Sequence, residues 1–140
     1  MDKILSFLGM CKKAGALETG EEAVYAATRK GKAVLILTAS DASDNTVKRA
    51  ANLSAWSQIE KAALPYEKET LGEMLGKRVC AVITITDLSM AASFAEKLAA
   101  GYEEYSDLYK RLKAKQSKLK SGKIGGLAAK TQDKSKRGGM

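Results

Sequence analysis

A chain of 140 residues with 45% hydrophobic residues and a net charge of +8 has material for one substantial core and too little for two independent domains. It holds no histidine, and its two cysteines, Cys11 and Cys80, lie far apart with no CxxC pair, which argues against a zinc site or a disulfide framework and suits a reducing cytoplasm. The charge is uneven: residues 1–100 carry 13 Lys and Arg against 12 Asp and Glu, and residues 101–140 carry 11 against 4, so a balanced body ends in a cationic tail suited to RNA, DNA or an acidic membrane surface, or to solubility alone.

The opening "MDKILSFLGMCKKAG" is too short for a membrane span and lacks the layout of a signal peptide. Ile4, Leu5, Leu8 and Cys11 recur at helical spacing and Gly15 supplies a stop, so residues 2–14 read as an amphipathic helix. A short strand near Leu17 leads to Gly20. The next segment, "EEAVYAATRKG", has acids in its first turn, Arg29 and Lys30 in its last and Gly31 as a stop, which predicts a second helix. "AVLILT" (33–38) is a continuous apolar run that suits a strand buried on both faces.

After it comes a polar shelf, "ASDASDN", where Ser43 or Asp44 can cap a third helix through "NTVKRAANLSAWSQIEK". An extended segment at Leu64–Tyr66 precedes "TLGEMLG", a short helix capped by Glu69 or Thr70 and closed by Gly76. "VCAVITIT" is a further buried strand, and Asp87 or Ser89 can cap the helix "MAASFAEKLAA". Helices and strands therefore alternate, which predicts an α/β fold: a three-layer α/β/α sandwich around a small mixed sheet over residues 1–100. In residues 101–140, Tyr102, Tyr105, Tyr109 and Leu112 keep a spacing for one more amphipathic helix, to about residue 119. The glycine-rich, cationic remainder is expected to be disordered until it meets a partner.

Enzyme chemistry finds little support. There is no histidine base, no GxSxG elbow, no GxxxxGK[ST] phosphate loop and no GxGxxG after a strand. Asp41, Asp44 and Asp87 sit at strand ends, where α/β sheets place ligands, yet each suits a helix or turn cap at least as well. Cys11 and Cys80 lie in apolar contexts and read as core residues rather than nucleophiles. No cofactor and no metal are expected.

Three blocks in order, "TGEEAVYAATRKGKAVLILTASDAS", an Ala-x-Asp turn within it, and "ETLGEMLGKRVCAVITITD", resemble the ribosomal protein superfamily that binds kink-turn RNA, represented by the large-subunit proteins L-seven-Ae and L-thirty-e. The similarity spans roughly residues 4–100 and is greatest to its small bacterial members, the YlxQ-like proteins. The resemblance implies a non-enzymatic, cytoplasmic RNA-binding protein that recognises bent or kink-turn-like RNA and works with the ribosome. Its partners would be ribosomal RNA and, secondarily, ribosomal proteins. A second reading keeps the fold as a protein-interaction or ribosome-assembly module without kink-turn readout.

Carried over residue by residue, the RNA surface comprises Gly20, Glu21 and Glu22 at the start of the second helix, Ala39, Ser40, Asp41 and Ser43 of the shelf, and Lys77, Arg78 and Val79 before the last strand. Lys48 and Arg49, just inside the third helix, are placed for phosphate if the shelf meets RNA and are ordinary surface cations otherwise. A helix N-terminus offers N–H groups to phosphate, the hydroxyls and cations add polar contacts, and an apolar Val79 can pack on a splayed base. The tail would add phosphate contacts from Lys110, Arg111, Lys113, Lys115, Lys118 and Lys120. In the family, the second and third positions after the glycine usually carry Asn or Lys and then Glu or another polar residue, with Lys at the sixth. This chain departs from that pattern with Glu22, Ala23 and Ala26, and Glu21 and Glu22 also suit simple complementation of the helix dipole.

Overall fold

The computed structural model describes residues 2–121; the expectation made for the glycine-rich end of the chain lies outside them. The elements run α1 (Lys3–Lys13), β1 (Leu17–Thr19), α2 (Glu21–Arg29), β2 (Leu35–Thr38), α3 (Asp44–Ser57), β3 (Glu60–Ala63), α4 (Lys68–Met74), β4 (Val82–Ile85) and α5 (Leu88–Gly101). A 3-10 turn (Glu103–Tyr105) then leads into α6 (Ser106–Ser121). None of the described helices is long and apolar enough to cross a membrane.

The sheet has the order β1-β4-β2-β3. Strand β4 is antiparallel to both β1 and β2, and β2 is parallel to β3, so the sheet is mixed. The two central strands are buried along their whole length, and alternation sorts their side chains between two layers. Leu35, Leu37, Ile83 and Ile85 point into the larger core, where Ile4, Leu8, Leu71, Phe94 and Leu98 of α1, α4 and α5 meet them. Ile36 and Val82 point the other way, onto Val24 of α2 and Ala50 of α3. Thr84, also fully buried, donates its hydroxyl to the Leu35 carbonyl at 2.8 Å, so its polar group is satisfied inside the sheet.

Local chemistry explains the helix starts. Asp2 accepts from the N–H groups of Ile4 and Leu5, Ser43 from Thr46 and Asp87 from Met90, each filling orphan donors of a first turn. Helix α4 starts at Lys68, one residue before the caps expected from sequence. It has no cap of its own; instead Asp41, from the shelf, accepts from the Lys68 N–H at 2.8 Å.

The third helix stops at Ser57, before the Ile59–Lys61 segment expected to continue it. Gln58 turns left-handed, φ 58°, and the Ser54 hydroxyl and carbonyl take up Ile59, which closes the helix without a glycine. The strand that follows, Glu60–Ala63, lies just ahead of the extended segment expected at Leu64–Tyr66. That segment instead forms the crossing to α4, tied down by Leu64 N–H to Thr38 O and Ser40 N–H to Tyr66 O.

Helix α6 is docked on the core. Tyr105, Leu108 and Leu112 are buried in the larger cluster, and the Tyr105 hydroxyl donates to the Ala63 carbonyl on edge strand β3 at 2.5 Å. Further along, Arg111 and Lys115 reach Glu60 at the start of the same strand, at 3.0 and 3.9 Å. Helix α6 therefore runs antiparallel to β3 and covers its open edge, the part of a sheet most prone to pair with another chain.

Candidate nucleic-acid interface

The strand directions bring three segments that are distant in sequence to one end of the sheet. That end holds the close of β1, the close of β2 and the start of β4. Two consecutive carbonyls at the start of β4 hold the segments together. Val82 O accepts from Gly20 N–H at 2.9 Å, and Ala81 O accepts from Ala39 N–H at 2.8 Å. The N-terminus of α2, the polar shelf and the loop before β4 thus share one anchorage of two residues.

Gly20 has φ 93°, a conformation that L side chains rarely adopt, and it turns the chain from β1 into α2 with no side-chain cap. The loop before β4 depends on two glycines. Gly76 has φ 74°, and a Cβ on Gly72 would meet the Val79 backbone at 2.7 Å. Lys77 N–H returns to Gly72 O at 2.7 Å, and Cys80 N–H to Lys68 O at 2.9 Å. The "LGEMLGK" run therefore folds the loop back on α4 and leaves Lys77 and Arg78 exposed, with Val79 50% exposed between them and the sheet.

The shelf is largely occupied by structure. Ala39 is buried and shapes the loop rather than offering a surface, a correction to its expected place among the contact residues. Asp41 is engaged at the N-terminus of α4, and the Ser43 hydroxyl caps α3 and bonds Thr46. Ser40 and Lys48 are exposed. Asp41 and Asp87, candidate ligands by sequence, both act as caps, and among the described residues no three His, Cys, Asp or Glu side chains gather where a metal could sit.

Glu21 is also committed. Its carboxylate accepts from Arg49 Nε at 2.5 Å, from Arg49 Nη2 at 2.9 Å and from the Thr46 hydroxyl at 3.1 Å. The Arg49 hydrogen bond, with help from Thr46, holds this carboxyl below the usual glutamate range. Glu22, one position on, is exposed. Arg49, expected beside Lys48 as a phosphate contact, is taken up by this internal pair, and Thr46 was not among the residues expected at the site; nothing local in the sequence links them to Glu21, 28 and 25 residues away. Lys12 was likewise missed as a support: its Nζ donates to the Leu75 carbonyl, steadying the loop that carries Lys77.

The tail cations are placed differently from the loops. Helix α6 begins beside Ala63, at the loop end, and by Arg111 and Lys115 it has reached Glu60, about 10 Å away along the strand. Lys110 and Lys113 are exposed, whereas Arg111 and Lys115 share Glu60. Both thiols are buried; burial pushes Cys11 up to about 11 and raises Cys80, which keeps both protonated and inert at neutral pH.

Residues 2–95 match the model of the "Ribosomal protein L7Ae/L30e/S12e/Gadd45 family". The chain is 36% identical over 75 residues to the RNA-binding protein YlxQ of Enterococcus faecium, covering 54% of this chain and 72% of that one. To the RNA-binding protein YlxQ of Bacillus subtilis (strain 168) it is 32% identical over 95 residues, covering 65% and 86%. A solved structure of a Bacillus halodurans protein of unknown function superposes with a TM-score of 0.64 at 31% identity, covering 69% of this chain and 97% of that one. The chain accordingly belongs to the L7Ae/L30e/S12e/Gadd45 ribosomal-protein family.

Proposed function

We propose that this protein is a non-enzymatic RNA-binding protein that recognises bent, kink-turn-like RNA through the loop end of its sheet and acts in association with ribosomal RNA in the cytoplasm. The observation that carries the reading is the shared anchorage at Ala81 and Val82, which sets the α2 N-terminus and the shelf against the loop bearing Lys77, Arg78 and Val79. The names of the two YlxQ relatives, both RNA-binding proteins, support it.

The division of labour follows from which groups are already occupied. Glu21 belongs to the protein's own brace, so base edges at this helix end fall to Glu22 and to the free backbone N–H groups of the first turn. Lys77, Arg78 and Lys48 supply phosphate contacts, and Val79 packs against a base exposed by the bend. With Ala23 and Ala26 in place of polar residues, recognition rests on shape and phosphate geometry more than on base hydrogen bonds.

The test is a salt titration of the full chain against a kink-turn RNA and an unkinked duplex of equal length. A preference for the kinked RNA that persists as salt rises is expected, because equal length equalises the phosphate contribution. In K77A/R78A the preference falls and the salt slope drops by about 0.9 per lost contact. Equal affinity for the two RNAs at every salt concentration would refute the reading.

A further inference from the structure

On the face of the sheet away from α1 and α5, an open groove of about 620 Å³ runs between α2 and α3. Its floor is Val24, Ala50 and Val82, all buried. Its walls are Tyr25, 50% exposed, and Trp56, 67% exposed and the chain's one tryptophan. Arg29 lies across the Tyr25 ring, with its guanidinium carbon 5.7 Å from the ring centre. Trp, Tyr and Arg around an apolar floor are the residue types that dominate binding energy at protein interfaces.

The rim indicates the kind of occupant. Glu22 stands at one end, and Arg29 with the exposed Lys30 at the other. The Arg49 charge at the first end is already matched by Glu21. Glu22 can accept from a base edge at the helix end, but a polyanion continuing along the groove would find no unmatched groove cation until Arg29, and its bases would meet few polar groups on the apolar floor. A helix carrying both charge signs meets each end with its opposite. A second copy of this chain offers no matching ridge among its described residues, since the other large exposed apolar side chains, Met10, Val47, Val79, Tyr102 and Leu119, sit one to an element or loop.

We propose that this groove docks an amphipathic helix from a protein partner. The dimensions agree: Glu22 to Arg29 spans seven residues of α2, about 10 Å, the same length as apolar anchors at i, i+3 or i+4, and i+7 on a partner helix. A basic side chain of the partner sits over Glu22 and an acidic one over Arg29. The groove meets the candidate RNA surface at Glu22, so a partner helix and an RNA share that one side chain, while Tyr25 and Trp56 lie outside the RNA surface.

The test uses the full chain and three stapled helical peptides. The first carries Leu at the three anchor positions with Lys at one end and Glu at the other; the second replaces Leu by Ser; the third replaces Glu by Lys. Trp56 emission, which reports on this groove alone, is expected to shift to the blue and saturate with the first peptide, at an affinity about tenfold or more above the other two. W56S and Y25S alter exposed positions and so leave the fold intact. Both should weaken the first peptide about tenfold by anisotropy while kinked-RNA affinity is unchanged. Equal binding of all three peptides would overturn the proposal. An oligouridylate that shifts Trp56 emission would reassign the groove to nucleotides, and a dimer in sedimentation that W56S dissociates would reassign it to a second copy.

Discussion

Arg49 on α3 grips both carboxylate oxygens of Glu21 on α2, Nε to Oε1 at 2.5 Å and Nη2 to Oε2 at 2.9 Å. This bidentate pair, with Thr46 as a third donor, fixes the spacing of two helices whose N-termini frame the candidate interface. The two side chains are 45% and 58% exposed, so solvent screens the pair and its net worth is small. Its pH dependence is nevertheless diagnostic. The folded state holds Glu21 below the ordinary value of 4.5, so the pair stabilises fully above that pH and loses its contribution as pH falls through the depressed folded value. E21Q should therefore show a slightly lower urea midpoint than the parent at pH 7, and the gap should close towards pH 3. A gap of constant size down to that pH would mean that the Glu21 charge is not what Arg49 holds.

Gly72 is the tightest backbone position in the interface. A Cβ there would lie 2.7 Å from Val79 Cα and 2.8 Å from Val79 N, and backbone cannot swing aside as a side chain can. G72A should destabilise the fold by about 1–3 kcal/mol, as overpacking does, and should weaken RNA binding by displacing Val79 and Arg78. Urea unfolding and RNA titration of the same variant check both. Parental stability together with parental affinity would show that the loop tolerates the added methyl and that its approach to α4 is not required.

The glycine punctuation and the apolar runs made most of the architecture legible. Gly20, Gly31 and Gly76 fall at helix boundaries with φ of 93°, 74° and 74°, and "AVLILT" and "VCAVITIT" contain the two central strands. Strand β3 was harder to read. "EKAA" has no β-branched or aromatic residue, and it is extended only because parallel pairing with β2 overrides its local preference. The end of α3 was hidden for a related reason: Gln58 adopts the left-handed turn that usually marks itself with glycine or asparagine. Within the candidate interface, the cations, Val79 and the Ser43 cap, whose partner Thr46 is three residues away, could be read from sequence, while the roles of Glu21 and Asp41 as brace and cap depend on partners brought near by the fold.

Helix α6 lies beyond the matched family region, residues 2–95, yet its side chains complete the core. Leu112 is fully buried, so L112A should cost about 2–5 kcal/mol. Y105F deletes the hydroxyl bonded to Ala63 O and should cost about 1 kcal/mol. Ending the chain at Gly101 removes Tyr105, Leu108 and Leu112 together and uncovers the β3 edge, so that fragment should unfold at much lower urea and self-associate. Chemical denaturation with light scattering measures each effect. A fragment as stable as the full chain would make α6 a surface appendage.

Lysines of α6 should add affinity without selectivity. From Arg111 onward the helix has moved to the Glu60 end of β3, away from the carbonyls of Ala81 and Val82 that gather the candidate loops, and an RNA seated on those loops meets this part of α6 only by reaching along β3. Lys110 and Lys113 face solvent, whereas Arg111 and Lys115 already share Glu60, so K110A/K113A should lower the salt slope by up to about 0.9 per contact and R111A by less. The loss should be equal for kinked and straight RNAs of the same length, leaving their affinity ratio unchanged at each salt concentration. K77A/R78A should instead reduce the ratio itself. If K110A/K113A erodes the preference for the bend as strongly as K77A/R78A does, the helix takes part in reading the RNA, and the bound RNA must reach past the sheet end along β3.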